Sequence, residues 1–128
     1  IKAVHADKLI IELSKEYLQS NLKNKVEYVC DDAEKFVLDN HDKQYDLVLF
    51  DVFIEDETPM NFMKQSFLES LKKLVSNNGL LLFSKINDSN KSKIENDQFE
   101  KIFSVVFHDG FSIDTNGNKV FSWINGNV

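Results

Sequence analysis

The sequence holds one cysteine, Cys30, which excludes an internal disulfide framework. No Cys/His spacing resembles a zinc site, so no metal is expected. No apolar run approaches the ~20 residues that cross a bilayer, and no signal-peptide pattern is present. A cytoplasmic setting without a membrane partner is the expectation. Fifteen basic residues face 21 acidic ones, a net charge of −6. The basic residues nowhere cluster densely enough to neutralise a run of phosphates, which argues against nucleic acid as a partner. Glycine is scarce: the four glycines stand at positions 79, 110, 117 and 126, in turns or late in the chain. Internal repeats and low-complexity linkers are missing too.

What is present suffices for a core. A chain of 128 residues fits one domain, 1–128, and a 42% hydrophobic share with eleven Phe suits a packed globule rather than a disordered chain. The sequence starts at Ile1, directly in a strand-like run. That looks like a cut end, with more chain expected upstream.

Strand and helix patterns alternate. "KAVHA" is a short strand ending at Asp7, a helix N-cap. "KLIIELSKEYLQSNL" places Leu9, Ile10, Leu13, Tyr17 and Leu18 on one helical face. "VEYVC" is a second strand, and "DAEKFVLDN" a brief helix in front of which Asp31 and Glu34 have capping-box spacing. "YDLVLFD", apolar almost throughout, is a third strand expected to be covered on both faces. Pro59 opens a helix through Val75 that stacks Phe62, Phe67 and Leu71, stopped at "SNNG" by a left-handed Gly79. "LLLFSKI" is a fourth strand. The polar stretch 87–98 reads as a surface loop before a helix around Asp97 to Phe103, and Asn116-Gly117 marks a closing hairpin. Cys30 is expected to be buried, Phe111, Phe121 and Trp123 to join the core, and His108 to have no role.

The order β-α-β-α-β-α-β-α-β-β implies an α/β fold, mostly parallel with an antiparallel C-terminal hairpin. Ligands of such sheets bind beyond the carboxyl ends of the strands. Asp7, Asp31, Asp32 and Asp51 all fall at such ends.

The runs "AVHADKLIIELSKEYL", "VEYVCDDAEKFV", "YDLVLFDVF" and "SNNGLLLF" resemble class I S-adenosylmethionine-dependent methyltransferases, and within them the spermidine synthase-like branch. The resemblance covers nearly the whole chain, from the family's second strand onward. It implies a Rossmann-like methyltransferase sheet lacking the first βα unit, because the family's first strand and glycine-rich loop have no counterpart here. That strand would lie at the centre, between "KAVHA" and "YDLVLFD".

The resemblance also implies roles. Asp32 and Ala33 match the family's "G-D-A", whose acid accepts a hydrogen bond from the adenine amine, with Asp31 replacing the glycine. The alternative for either aspartate is a helix cap without a ligand. His5 stands where the pattern "V-E-x-D" has the acid that takes both ribose hydroxyls. A neutral imidazole makes only one such bond, so His5 is either a ribose neighbour or a plain strand-end histidine. Asp51 ends the central strand where aminopropyltransferases keep an acid that holds and deprotonates the attacking amine; the alternative is a cap on the next turn. Glu55, Asp56 and Glu57 read as a solvated loop. Their setting, "DVFIEDETP", looks like "D-A-F-x-x-D-x-x-P" of spermidine synthase-like proteins rather than the "D-S-x-D-P" of aminopropyltransferases.

The function implied is transfer of a group from S-adenosylmethionine, or its decarboxylated form, to a small-molecule acceptor. Methyl transfer is favoured because "D-S-x-D-P" is absent. An aminopropyltransferase acting on a polyamine, and a non-catalytic domain that has lost cofactor binding, both stay open. So does a homodimer.

Overall fold

A computed structural model describes residues 1–17, 26–40 and 42–126. These residues form two compact units, Ile1–Asp39 and Asn40–Val128. In the first, β1 (Lys2–His5) leads to α1 (Lys8–Tyr17), then β2 (Glu27–Cys30) and α2 (Ala33–Asp39). The two strands pair in parallel, from Lys2 opposite Glu27 to His5 opposite Cys30. Among the described residues of this unit, Ile11, Phe36 and Val37 are the buried apolar side chains.

The second unit runs β3 (Tyr45–Phe50), a 3-10 turn (Met60–Met63), α3 (Gln65–Lys72), β4 (Val75–Ile86), α4 (Asn90–Val106), β5 (Phe111–Asp114) and β6 (Asn118–Ile124). Its sheet order is β3-β4-β6-β5. The strand β4 is the hub, parallel to β3 on one side and antiparallel to β6 on the other. This is the expected α/β fold with a mostly parallel pattern and an antiparallel hairpin. Gly117, at φ 89, makes the hairpin turn that Asn116-Gly117 predicts.

Several local expectations change. The face of α1 carrying Leu9, Ile10, Leu13 and Tyr17 is exposed and Ile11 is buried instead; Leu18 lies outside the described residues. Leu47 and Leu49 of β3 stay 57% and 65% exposed, because within its unit the one element packed extensively against β3 is β4, and no described helix lies extensively over it. Cys30 is exposed, its Sγ donating to the Ala6 carbonyl at 3.7 Å. Phe121 and Trp123 are core residues, but Phe111 is not, since β5 is an edge strand.

The helix expected through Val75 is broken at Lys64, whose extended φ −78, ψ 145 separates the 3-10 turn from α3. Strand β4 starts at Val75 and bulges over Ser76 to Gly79 before regular pairing resumes at Leu80 opposite Leu47. The left-handed residue there is Asn78, at φ 62, not Gly79. Gly79 is needed for space: a Cβ would stand 2.8 Å from the Ser76 carbonyl oxygen and 3.1 Å from that of Asp46.

Most of the polar stretch 87–98 is helical. Ser89 caps α4, its Oγ accepting from Ser92 N–H while Ser92 Oγ accepts from Ser89 N–H. This capping box satisfies two of the helix's otherwise orphaned donors. It fixes where α4 begins, directly after β4.

Candidate functional site

In the first unit, the parallel register places His5 and Cys30 level at the carboxyl ends of β1 and β2. Asp7 and Asp31 follow these ends. The Asp7 backbone N–H donates to His5 Nδ1 at 2.9 Å, so that nitrogen is engaged as an acceptor and Nε2 is the ring nitrogen left to donate. His5 is exposed and presents Nε2–H as a single donor. Asp7 is the N-cap of α1, its Oδ1 accepting from Leu9 N–H at 2.9 Å.

The second acidic pair divides differently from the capping-box spacing. Helix α2 begins at Ala33, so Lys35 rather than Glu34 is its third residue. Asp32 is the cap: its Oδ1 accepts from Lys35 N–H at 3.1 Å, and its carbonyl from Phe36 N–H at 2.9 Å. Asp31 braces it from behind, accepting from Asp32 N–H at 2.9 Å and lying 4.0 Å from Lys35 Nζ. Asp32 is exposed, and the cap engages one carboxylate oxygen, leaving Oδ2 to an outside donor. Ala33 opens the helix half-buried.

In the second unit, Asp51 is the first residue past β3 and is exposed. Among the described residues its carboxylate makes no hydrogen bond or ion pair, so it does not cap the turn that follows. It heads a loop that walls a cavity of about 810 Å³ beyond the carboxyl ends of β3 and β4. Among the described residues, five carboxylates, those of Glu55, Asp56, Glu57, Asp88 and Glu95, line this cavity together with Lys91.

The loop has a doubly hydrogen-bonded tip. Ile54 and Glu57 exchange both backbone hydrogen bonds, 2.8 and 3.0 Å, across Glu55 and Asp56. Those two residues are left-handed, at φ 48 and 65. Such a turn suits Asn-Gly, and left-handed L-residues cost about 1–2 kcal/mol each. Glu55, Asp56 and Glu57 are exposed, as a solvated loop should be, yet the tight turn gathers them on one cavity wall.

Two lysines balance the acid. Lys91 Nζ lies 2.6 Å from Glu57 Oε1. Hydrogen bonding and charge in this pair hold the Glu57 carboxyl below its ordinary range and raise the Lys91 ammonium above its own. Lys85, on β4, is buried, with Nζ 3.3 Å from Glu95 Oε2 and 4.8 Å from the centre of the Phe99 ring. Burial pushes its pKa down, more than the Glu95 charge and hydrogen bond push it up.

Asp88, Lys91 and Glu95 carried no role in the sequence, because stretch 87–98 read as loop. The signal that would have found them is Ser89 with Ser92, a serine cap pair three residues apart. Among the described residues, no three or more His, Cys, Asp or Glu side chains are placed to hold a metal ion. No described helix is long and apolar enough to cross a membrane.

Comparison with known proteins gives a consistent family. The chain is 27% identical over 116 residues to the eEF1A lysine and N-terminal methyltransferase homolog of Drosophila melanogaster, covering 83% of this chain and 17% of that protein. Human methyltransferase-like protein 13, solved in complex with SAH, superposes with a TM-score of 0.81 at 17% identity, covering 96% of this chain and 60% of that one. A probable spermidine synthase from Corynebacterium glutamicum also gives 0.81, at 19% identity, covering 99% and 48% respectively. The chain therefore spans only part of the length of each relative. The likeness to both structures is one of fold, the Rossmann-like methyltransferase fold. The spermine/spermidine synthase domain model matches residues 1–115, and the chain belongs to that family.

Proposed function

We propose that the chain is part of an S-adenosylmethionine-dependent transferase whose acceptor is a cationic amine, with methyl transfer to a small molecule as the leading case. The observation that carries this reading is the cavity beyond β3 and β4, where five carboxylates meet one lysine. Such a lining attracts an ammonium and repels an anion.

The first unit fits an adenosine. Asp32 Oδ2 is an acceptor-only group open to an exocyclic amine. His5 Nε2–H is a donor suited to one ribose hydroxyl oxygen, since Nδ1 is committed to Asp7. Ala33, with its small side chain at the first turn of α2, leaves room for a base beside Asp32. When bound, the cofactor supplies a carbon activated by a positively charged sulfur.

Asp51 accepts an N–H from the incoming ammonium and draws its proton away. General-base help of this kind contributes ~10²–10⁴-fold; orienting the nitrogen contributes up to ~10⁵–10⁸ M in effective concentration. The cavity acids hold the rest of a cationic acceptor. The lysine methyltransferase homolog and the probable spermidine synthase among the relatives support an amine in this place.

The test is calorimetric titration of the full-length protein with S-adenosylhomocysteine, followed by a transfer assay. Heat of binding in the wild type that is lost in Asp32→Asn supports the adenosine assignment. No binding at high concentration overturns the enzyme reading and leaves a non-catalytic domain. Putrescine with decarboxylated cofactor tests aminopropyl transfer, and an aminopropylated product would replace methyl transfer as the reaction.

A further inference from the structure

Strand β4 turns Leu81, Phe83 and Lys85 to the same buried face. Alternation along the strand calls for an apolar side chain at the third of these positions. It holds instead a lysine whose side chain is only 1% exposed. A lysine ammonium has three N–H donors. What they meet is Met63 Sδ at 2.8 Å, Glu95 Oε2 at 3.3 Å and the face of the Phe99 ring, its centre 4.8 Å away. Only one of the three is an oxygen. A buried cation so weakly served is costly, in keeping with the downward push of burial on its pKa.

Met63 closes the 3-10 turn and is half-buried. A thioether is a weak acceptor, so the Lys85 donor aimed at it gains little. One oxygen added to the sulfur changes that. A sulfoxide usually disrupts a core, because it sets a polar group among apolar ones. At Met63 a charged donor already stands beside the sulfur, and the rotatable bonds of the side chain let an added oxygen turn toward it.

We infer that Met63 is an oxidation site matched to Lys85: a hydroperoxide converts its sulfur to a sulfoxide whose oxygen takes the hydrogen bond of the buried ammonium, so oxidation tightens this part of the core instead of loosening it. In that step a sulfur lone pair forms the S–O bond as the O–O bond breaks. The sulfur is oxidised and the peroxide reduced, and the proton moves to the departing oxygen, which leaves as water or an alcohol. The pairing of Met63 with Lys85 is independent of the acceptor proposed above. Met60, the other methionine and 78% exposed, is an internal standard for reactivity.

The experiment treats the full-length protein with hydrogen peroxide until peptide mapping shows Met60 fully converted, then reads urea unfolding. Met63 should be converted too, and oxidation should raise the midpoint of the wild type relative to its effect on Met63→Leu, which reports oxidation elsewhere in the chain. Met63→Gln sets a carbonyl oxygen at about the reach of the sulfoxide and needs no oxidant. Relative to Met63→Leu, it should gain about ten-fold in folding equilibrium constant when Lys85 is present compared with the Lys85→Met background, the worth of one hydrogen bond to a charged group. Met63 left unmodified while Met60 is fully converted overturns the oxidation site. A wild-type midpoint that falls on oxidation relative to Met63→Leu, or a Gln-against-Leu difference that is the same in both backgrounds, overturns the match to Lys85. Should Lys85→Met not fold, the sign of the oxidation shift between wild type and Met63→Leu decides alone.

Discussion

The two units differ in what stands behind their candidate site residues. Among the described residues of Ile1–Asp39 the buried apolar side chains are Ile11, Phe36 and Val37, and the acids at the strand ends are themselves structural. Asp7 and Asp32 cap the helices that follow them. In Asn40–Val128 an aromatic chain does the holding. Phe50 stacks on Phe83 at 4.6 Å, Phe83 meets Phe99 at 5.0 Å, Phe99 meets Phe121 at 4.9 Å and Phe107 meets Trp123 at 5.1 Å. Asp51 and the acids of the cavity ride on that core without supporting it. Helix cap and proposed ligand group are thus the same atoms in one unit, whereas in the other the packed core and the candidate site residues are different atoms.

The largest expected effect tests the second half of that contrast. Phe83 is fully buried on β4 and touches aromatic partners on two sides. Phe83→Ala should cost about 3–5 kcal/mol of stability, the usual range for a buried aromatic, measured by urea unfolding. Leu13→Ala, on the exposed face of α1, should cost under about 1 kcal/mol. Equal losses would contradict the contrast between a packed unit and a lightly packed one.

Gly79→Ala comes next. Its Cβ would meet two backbone oxygens, of Ser76 and Asp46, neither able to withdraw as a side-chain end would. The strain should cost about 1–3 kcal/mol and should loosen the pairing of β3 with β4 at the amino end of β3, around Asp46, visible as faster amide exchange there.

This glycine also marks where the sequence is legible and where it is not. Periodicity and turn signals show every strand in order, because alternation and Asn-Gly are local properties. They do not show the β4 bulge, which depends on how β3 and β4 meet. "SNNG" signals a left-handed turn with Gly79 as the expected residue, whereas the bulge puts it at Asn78. The placement of Asp32 and Asp51 at strand ends was readable for the same local reason. The cavity was not: it needs Glu57 from one loop and Lys91 from a helix start 34 residues later, a contact no spacing rule reports. Which strand faces stay exposed, as with Leu47 and Leu49, depends on what packs over each strand and is likewise invisible to periodicity.

The first half of the contrast, shared atoms, is testable at Asp32. Asp32→Ala should lose about 1 kcal/mol with its cap and lose S-adenosylhomocysteine binding as well. Asp32→Asn separates the two. Its amide oxygen caps Lys35 as the aspartate does, so stability should hold. Its other group is then an N–H donor facing where an adenine amine would donate, so binding should fail. Full binding by Asp32→Asn would remove Asp32 from the cofactor site and leave it a cap.

The smallest effect lies in pH, and it distinguishes the two lysines of the second unit. Burial lowers the Lys85 pKa in the folded chain, so between that lowered value and the ordinary lysine range the unfolded chain binds the extra proton. Stability should therefore rise with pH through that window, as the folded chain escapes the penalty of a buried charge. Lys91 has the opposite sign: its raised pKa gives stability that is fully present below the ordinary lysine value and is lost as pH climbs through the raised one. Its partner Glu57, lowered by the same contact, gives stability lost only in acid, below the ordinary carboxylate range. Urea midpoints from neutrality to about pH 10 should climb in the wild type and stay flatter in Lys85→Met, which replaces the buried ammonium with an apolar chain of similar length. Lys91→Met should leave the climb intact. A climb that survives Lys85→Met would mean that the ammonium keeps its charge beside Glu95 throughout, and that the packed unit tolerates a buried ion pair without penalty.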